Sequence, residues 1–233
     1  MKCNFTFGHL EHILDTIVAE NYQVITLKEF FANEYNSAEK TIMIRVDVDL
    51  DCFRARRIAE LLNDRQLRGT FFFRVHGRYN PLYFEIVNII RSIVRSGHEL
   101  GLHTELMDMQ AICDCDPREL LRQDIALLEM FFETKIFGTA SHGDLTGINN
   151  LDFWKTSQPA DFGLLYEAYD PQLFDQCTYV SDSQYTSWKV YNAGKLVVGD
   201  ARCACEHIKV GGPLVNLLIH PDTYYDRHFH ERG

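Results

Sequence analysis

Short runs of β-branched and aromatic residues alternate with amphipathic helical stretches along nearly the whole chain, and this alternation most limits the fold. Strands separated by helices pack as a mostly parallel sheet with the helices laid over it. The sequence predicts strands over 41–49, 69–75, 98–104, 136–140, 162–169, 179–181, 195–198 and 215–220. Helices are predicted over 9–19, 54–63 and 81–95, and again from Pro117 through Leu120, Ile125, Leu128 and Phe131. Pro81 stands at a first-turn position and Ser96-Gly97 at a stop, while Asp116-Pro117-Arg118-Glu119 reads as a capping box. So many strands, with no glycine-rich phosphate loop after the first, favour a barrel over an open doubly wound sheet.

Of the 233 residues, 46% are apolar and 24% charged, and the formal net charge is −10. Such a chain can bury a large core, and its negative charge repels phosphate backbones and anionic lipid. A small polar molecule is therefore the expected partner, and nucleic acid is not. No membrane span is expected, because even the apolar run 86–94 is broken by Asn88, Arg91 and Ser92. The opening MKCNFTFGHLEHILD has neither an apolar core nor a small-residue cleavage site, so a cytoplasmic location is expected. Without repeats or linkers, residues 1–233 read as one catalytic domain, with a helix-and-strand extension over 1–40. The seven cysteines, Cys3, Cys52, Cys113, Cys115, Cys177, Cys203 and Cys205, are odd in number and scattered. They read as reduced thiols. Two Cys-x-Cys pairs, 113/115 and 203/205, are capable of zinc chelation but lack the usual Cys-x-x-Cys spacing, so incidental cysteines are the expectation.

The run TIMIRVDVD shows where the chemistry lies. With a period of two, Ile42, Ile44, Val46 and Val48 face one way and Arg45, Asp47 and Asp49 the other. Inside a barrel, unpaired carboxylates cost several kcal/mol each, so hydrogen bonds, an ion pair or a cation must compensate. An internal salt bridge would explain this strand alone. Three further strands end in histidine, at His103, His142 and His220. A single such histidine is ordinarily structural. Parallel barrel strands, however, deliver their C-terminal ends to one face, where two carboxylates and three imidazoles can converge. A carboxylate oxygen with two or three imidazole nitrogens suits a divalent first-row ion: zinc first, with nickel, cobalt or manganese as alternatives. His98 lies on the opposite face of its strand from His103 and reads as structural. His9, His12, His76 and His207 carry no spacing signal, and His228 and His230 read as a solvated end. Tyr166, Tyr169, Trp154 and Trp188 offer faces for sugar rings, although such residues at strand spacing are more often core.

Over about residues 40–225 the chain resembles the polysaccharide deacetylases, the NodB-homology or carbohydrate esterase family 4 proteins. Asp47-Val48-Asp49 resembles the family's aspartate pair, GTFFFRV its Ala-Thr-Phe-Phe segment, GHELGLHTE its Gly-His-Glu-Ile-Gly-x-His-Thr segment, and Leu218-Ile219-His220 its Leu-x-His motif. The resemblance implies a deformed (β/α)7–8 barrel and a metal-dependent N-deacetylase with a small-molecule or oligosaccharide substrate. In that reading Asp47 is the base, Asp49 and His103 are ligands, and His220 is the acid. The family's second histidine, four residues after the first, is Met107 here, and its Arg-x-Pro is replaced by 139–143 (TASHG). His142 is expected to supply the missing ligand and Arg45 to hold the base ionised. Glu105, Asp108, Asp51 and Asp144 are rival ligands. Two other readings stay open: a hydrolase of the same fold acting on a non-sugar amide, and an inactive barrel that binds a sugar or partner without turnover.

Overall fold

The computed structural model describes residues 4–227, so Cys3 and the tail histidines 228 and 230 lie outside the described residues. In chain order the elements are α1 (Phe7–Ala19), β1 (Gln23–Ile25), α2 (Leu27–Phe31), β2 (Thr41–Val48), α3 (Cys52–Asn63), β3 (Thr70–Arg74), α4 (Phe84–Arg95), β4 (Glu99–Thr104), α5 (Leu106–Cys113), α6 (Pro117–Phe132) and β5 (Gly138–Ser141). Two short 3-10 turns lead to β6 (Tyr166–Glu167), followed by α7 (Pro171–Phe174), β7 (Thr178–Ser181), β8 (Lys189–Asn192), β9 (Lys195–Leu196), α8 (Ala204–Val210) and β10 (Leu214–Ile219). The strands form one sheet in the order β6-β5-β4-β3-β2-β10-β7-β8-β9, with β1 beside the start of β2. From β6 to β7 every pairing is parallel, and β8 and β9 continue the sheet antiparallel. This is the deformed barrel expected. Among the described residues no ladder joins β6 to β9, so the wall curls without closing by hydrogen bonds.

The two faces of β2 divide as its alternation requires. Ile42, Ile44, Val46 and Val48 join Leu10, Ile13, Ile58, Leu62, Ile90 and Ile208 in the core between sheet and helices. Met43 packs with Phe72, Ala140, Tyr166, Tyr179 and Leu218 in a second, interior core. Two glycines make that interior possible. A Cβ on Gly101 would overlap the Phe72 ring, and one on Gly138 would overlap the Tyr166 ring, so each aromatic fills space that its neighbour gives up. At the lower end of the interior, Glu99 accepts hydrogen bonds from Tyr166 Oη (2.7 Å), Thr70 Oγ1 (2.7 Å) and the Lys28 amide (2.9 Å). The barrel is thus plugged below, and its upper, C-terminal end is left for chemistry.

Several local expectations differ. Helix α4 begins at Phe84, with Tyr83 as its N-cap, so Pro81 lies in the preceding turn. Asp116 does cap α6, accepting from the Arg118 amide at 2.9 Å with Pro117 in the first turn, but Glu119 accepts from Gln123 and closes no capping box. The strand expected over 162–169 shrinks to Tyr166–Glu167, because Pro159 nucleates a 3-10 turn through Phe162 and Gly163 ends it in the left-handed region. The run at 195–198 is an antiparallel edge, not part of the parallel wall. Among the described residues no helix is long and apolar enough to cross a membrane.

Candidate active site

The strand ends do meet. Arg45 and Asp47 on β2 are almost wholly buried and form a bidentate pair, with Arg45 Nε and Nη2 donating to Asp47 Oδ1 and Oδ2 at 2.9 and 2.7 Å. The guanidinium is sandwiched by rings, 4.4 Å from the Tyr169 centroid and 5.5 Å from that of Phe72. Burial pushes the Asp47 carboxyl up, but the positive charges of Arg45 and then His103 outweigh it and hold the group below its ordinary value.

His103, on β4, donates from Nδ1 to the Ala140 carbonyl of neighbouring β5 at 2.7 Å, because a carbonyl can only accept. That bond fixes the ring and turns Nε2 towards the aspartates, 3.2 Å from Asp49 Oδ1 and 3.6 Å from Asp47 Oδ2. Burial alone would lower the His103 pKa, but the charges of Asp47 and Asp49 raise it. A proton and a metal ion would compete for that one nitrogen. His142 follows β5 directly, its amide continuing the ladder to the Thr104 carbonyl at 2.8 Å. Its Nε2 lies 3.7 Å from Asp49 Oδ1, and its ring meets His103 edge-on with centroids 5.1 Å apart. Burial and then the neighbouring His103 push its pKa down, which favours the neutral, ligating form.

One donor atom each from Asp49, His103 and His142 lies within 4.8 Å of the others, a spacing that fits a metal ion. The contacts behind these donors fit as well. His103 is oriented by a carbonyl at its far nitrogen, and the buried Asp49 Oδ1 has no aligned hydrogen bond.

The rival ligands are occupied elsewhere or face solvent. Asp108 accepts from the Leu145 and Thr146 amides, from Thr146 Oγ1 and from Asn150 Nδ2, and so clamps the loop after His142. Asp51 caps α3, accepting from the Arg54 amide at 3.0 Å. Asp144 is exposed. Glu105 is paired with Arg74 and stands 3.7 Å from His142 Nδ1. Met107, where the resemblance calls for histidine, packs against the apolar core on the helix side of the sheet.

His220, directly after β10, donates from Nδ1 to Asp182 Oδ1 at 2.6 Å, and its own amide bonds the same carboxylate at 2.9 Å. Burial opposes protonation of His220, yet the charge of Asp182 overrides it and lifts the pKa to about 9. Asp182 was not singled out from the sequence. The signal was available, since it follows β7 as His142 follows β5 and His220 follows β10. Two other contributors are legible only in space. Arg74 on β3 bridges Glu105 and the Asp49 carbonyl, and Tyr79 Oη joins the Arg74 amide to the Val48 carbonyl. Of the aromatic residues, Trp188 and Tyr166 are core, and Trp154 donates to Ser141 Oγ at 3.2 Å. Tyr169 instead helps to line a cleft of about 340 Å³ with Leu151, Phe174, Tyr179, Lys189 and Tyr191. His98 is structural as expected, accepting from the Gly69 amide at 3.1 Å.

No family model matches the sequence, and no curated protein does. Solved structures do match. A mutant of a CE4 family pseudoenzyme from Bacillus anthracis superposes with a TM-score of 0.51 at 17% identity, over 80% of this chain. The fold is that of the CE4 family. The match spans 58% of the pseudoenzyme chain. IcaB from Ammonifex degensii also matches, at 21% identity and TM-score 0.49 over 93% of this chain and 84% of that one. So does the polysaccharide deacetylase Bc1974 from Bacillus cereus, at 14% identity and TM-score 0.49 over 84% and 94%.

Proposed function

We propose that the chain is a metal-dependent hydrolase that removes an acyl group, N-acetyl in the first instance, from an amino sugar or a sugar precursor. In this reading Asp49, His103 and His142 hold a divalent ion, zinc before nickel, cobalt or manganese. The observation that carries it is the approach of those three donors to within 4.8 Å of one another beside a carboxylate clamped by arginine. When bound, such an ion supplies Lewis acidity, which polarises an amide carbonyl and brings the pKa of a water towards neutrality.

The chain's own groups supply the proton transfers. Asp47, kept ionised by Arg45, accepts the proton of the attacking water. Arg45 positions that base and touches no reacting atom. His220, kept protonated by Asp182, donates to the departing nitrogen as the C–N bond breaks, so an amine and a short carboxylate leave. The Tyr169–Tyr179–Tyr191 cleft offers flat apolar faces for a sugar ring, and Tyr169 stacks on Arg45 at the same time.

The test is acetate release from a panel of N-acetylated sugars, with and without added zinc and with Asp47→Asn as control. Turnover that needs both the ion and Asp47 supports the proposal. One observation favours a second reading, a barrel that binds without turnover: Met107 stands where the resemblance expects a ligand. An ion held tightly with no hydrolysis of any acylated amine would select that reading. Turnover of acylated amines other than sugars would select a non-sugar amidohydrolase.

A further inference from the structure

Away from the strand ends, the start of α8 meets the first turn of α1. His9 Nε2 lies 3.0 Å from Cys203 Sγ, and Cys205 brings a second thiol, so that one donor atom from each lies within 4.8 Å of the others. All three side chains are buried, and the proton transfers proposed above use none of them. His12, one turn along α1, stands beside the group, its ring centroid 6.2 Å from that of His9.

We propose that His9, Cys203 and Cys205 form a second metal site, a structural one for a thiophilic divalent ion of the zinc class, which ties α1 to α8. Two thiolates and an imidazole are a donor set that zinc takes, and a softer one than the carboxylate and imidazoles around Asp49. Both cysteines ligate as thiolates, so binding is favoured as pH rises. The three donors are buried, and the group joins residues 194 positions apart. Cross-linking over so long a loop removes conformational freedom from the unfolded chain and so favours the docked N-terminal helix. The competing account is a simple thiol–imidazole hydrogen bond between Cys203 and His9.

The experiment uses the full chain, reduced, stripped by chelator and reloaded with cobalt(II) alone. The expected result is thiolate-to-cobalt charge-transfer absorption in the near ultraviolet, saturating at one equivalent. It should persist in His103→Ala and in the Cys113→Ser/Cys115→Ser double variant and be lost in Cys205→Ser. The Asp49 group contains no sulfur, so this signal is independent of the strand-end site and of any activity. No such absorption in the unaltered chain with cobalt in excess would overturn the proposal, even if a variant failed to fold. Its survival in a folded Cys205→Ser, or a Cys203–Cys205 disulfide mapped in the protein as isolated, would overturn it as well.

Discussion

Replacing Asp182 by asparagine tests the assignment of the acid most directly. The side chain keeps its shape and can still accept from the His220 amide, but the charge that holds the imidazole protonated is gone. The lift of His220 from 6.5 to about 9 corresponds to about 3 kcal/mol, the size of one hydrogen bond to a charged group. Without it, burial opposes the proton and only the charges of Asp47 and Asp49 still favour it, so the His220 pKa falls. The sign follows from the role: a general acid must carry its proton, so the rate falls as pH rises through the His220 pKa. In the unaltered chain that descent is expected near 9, and in Asp182→Asn at lower pH. At pH 8 about nine-tenths of the unaltered His220 is protonated, and loss of the whole lift would cut the rate by roughly thirtyfold, the upper bound because Asp47 and Asp49 remain. Proton NMR of the histidine rings reads the titration without a substrate, and the pH profile of acetate release reads its consequence. If His220 titrates at the same pH in both proteins, Asp182 does not hold the proton and the assignment fails.

Three further outcomes follow from the same geometry. Arg45→Met leaves Asp47 buried without its partner and is expected to cost about 3–5 kcal/mol; an unchanged urea-unfolding midpoint would contradict the clamp. His103→Ala removes the ligand that the Ala140 carbonyl orients and should weaken zinc binding at the strand ends by at least about a hundredfold, read by calorimetric titration in a Cys205→Ser background. Asp108→Ala strips the acceptor from the Leu145, Thr146 and Asn150 donors and should destabilise the chain by about 2–4 kcal/mol. Because that loop follows His142, ion affinity should fall with it; loss of stability with affinity intact would mean that the loop does not position His142.

Much of this architecture is written locally. The β2 faces were legible because side chains alternate with a period of two, and Asp49, His103 and His142 were legible because parallel strands end on one face. Arg45 was expected beside Asp47 since both sit on that inward face two residues apart, and they do form the ion pair. The short strand at Tyr166–Glu167 and the late start of α4 were not legible, since a proline marks a turn as readily as a first helical position. Asp182 escaped notice although the strand before it was expected, because histidines and not carboxylates were followed at the strand ends. The Cys203/Cys205 pair was visible in the sequence, but the approach of His9 was not, because it joins the two ends of the chain.

The sequence alone determined the order of the longer strands and helices, the division of β2 into an apolar and a polar face, and the residue types presented at the strand ends, because these depend on near-neighbour periodicity. The tertiary structure decided which of those residues reach one another. His103 on β4 and Asp49, directly after β2, stand on either side of β3, and the packed sheet brings Nε2 to 3.2 Å from Oδ1. It also decided which carboxylates are already taken, as Asp108 is by its loop and Glu105 by Arg74. A buried charge acquires its partner through packing between elements distant in sequence, and no local pattern encodes that distance.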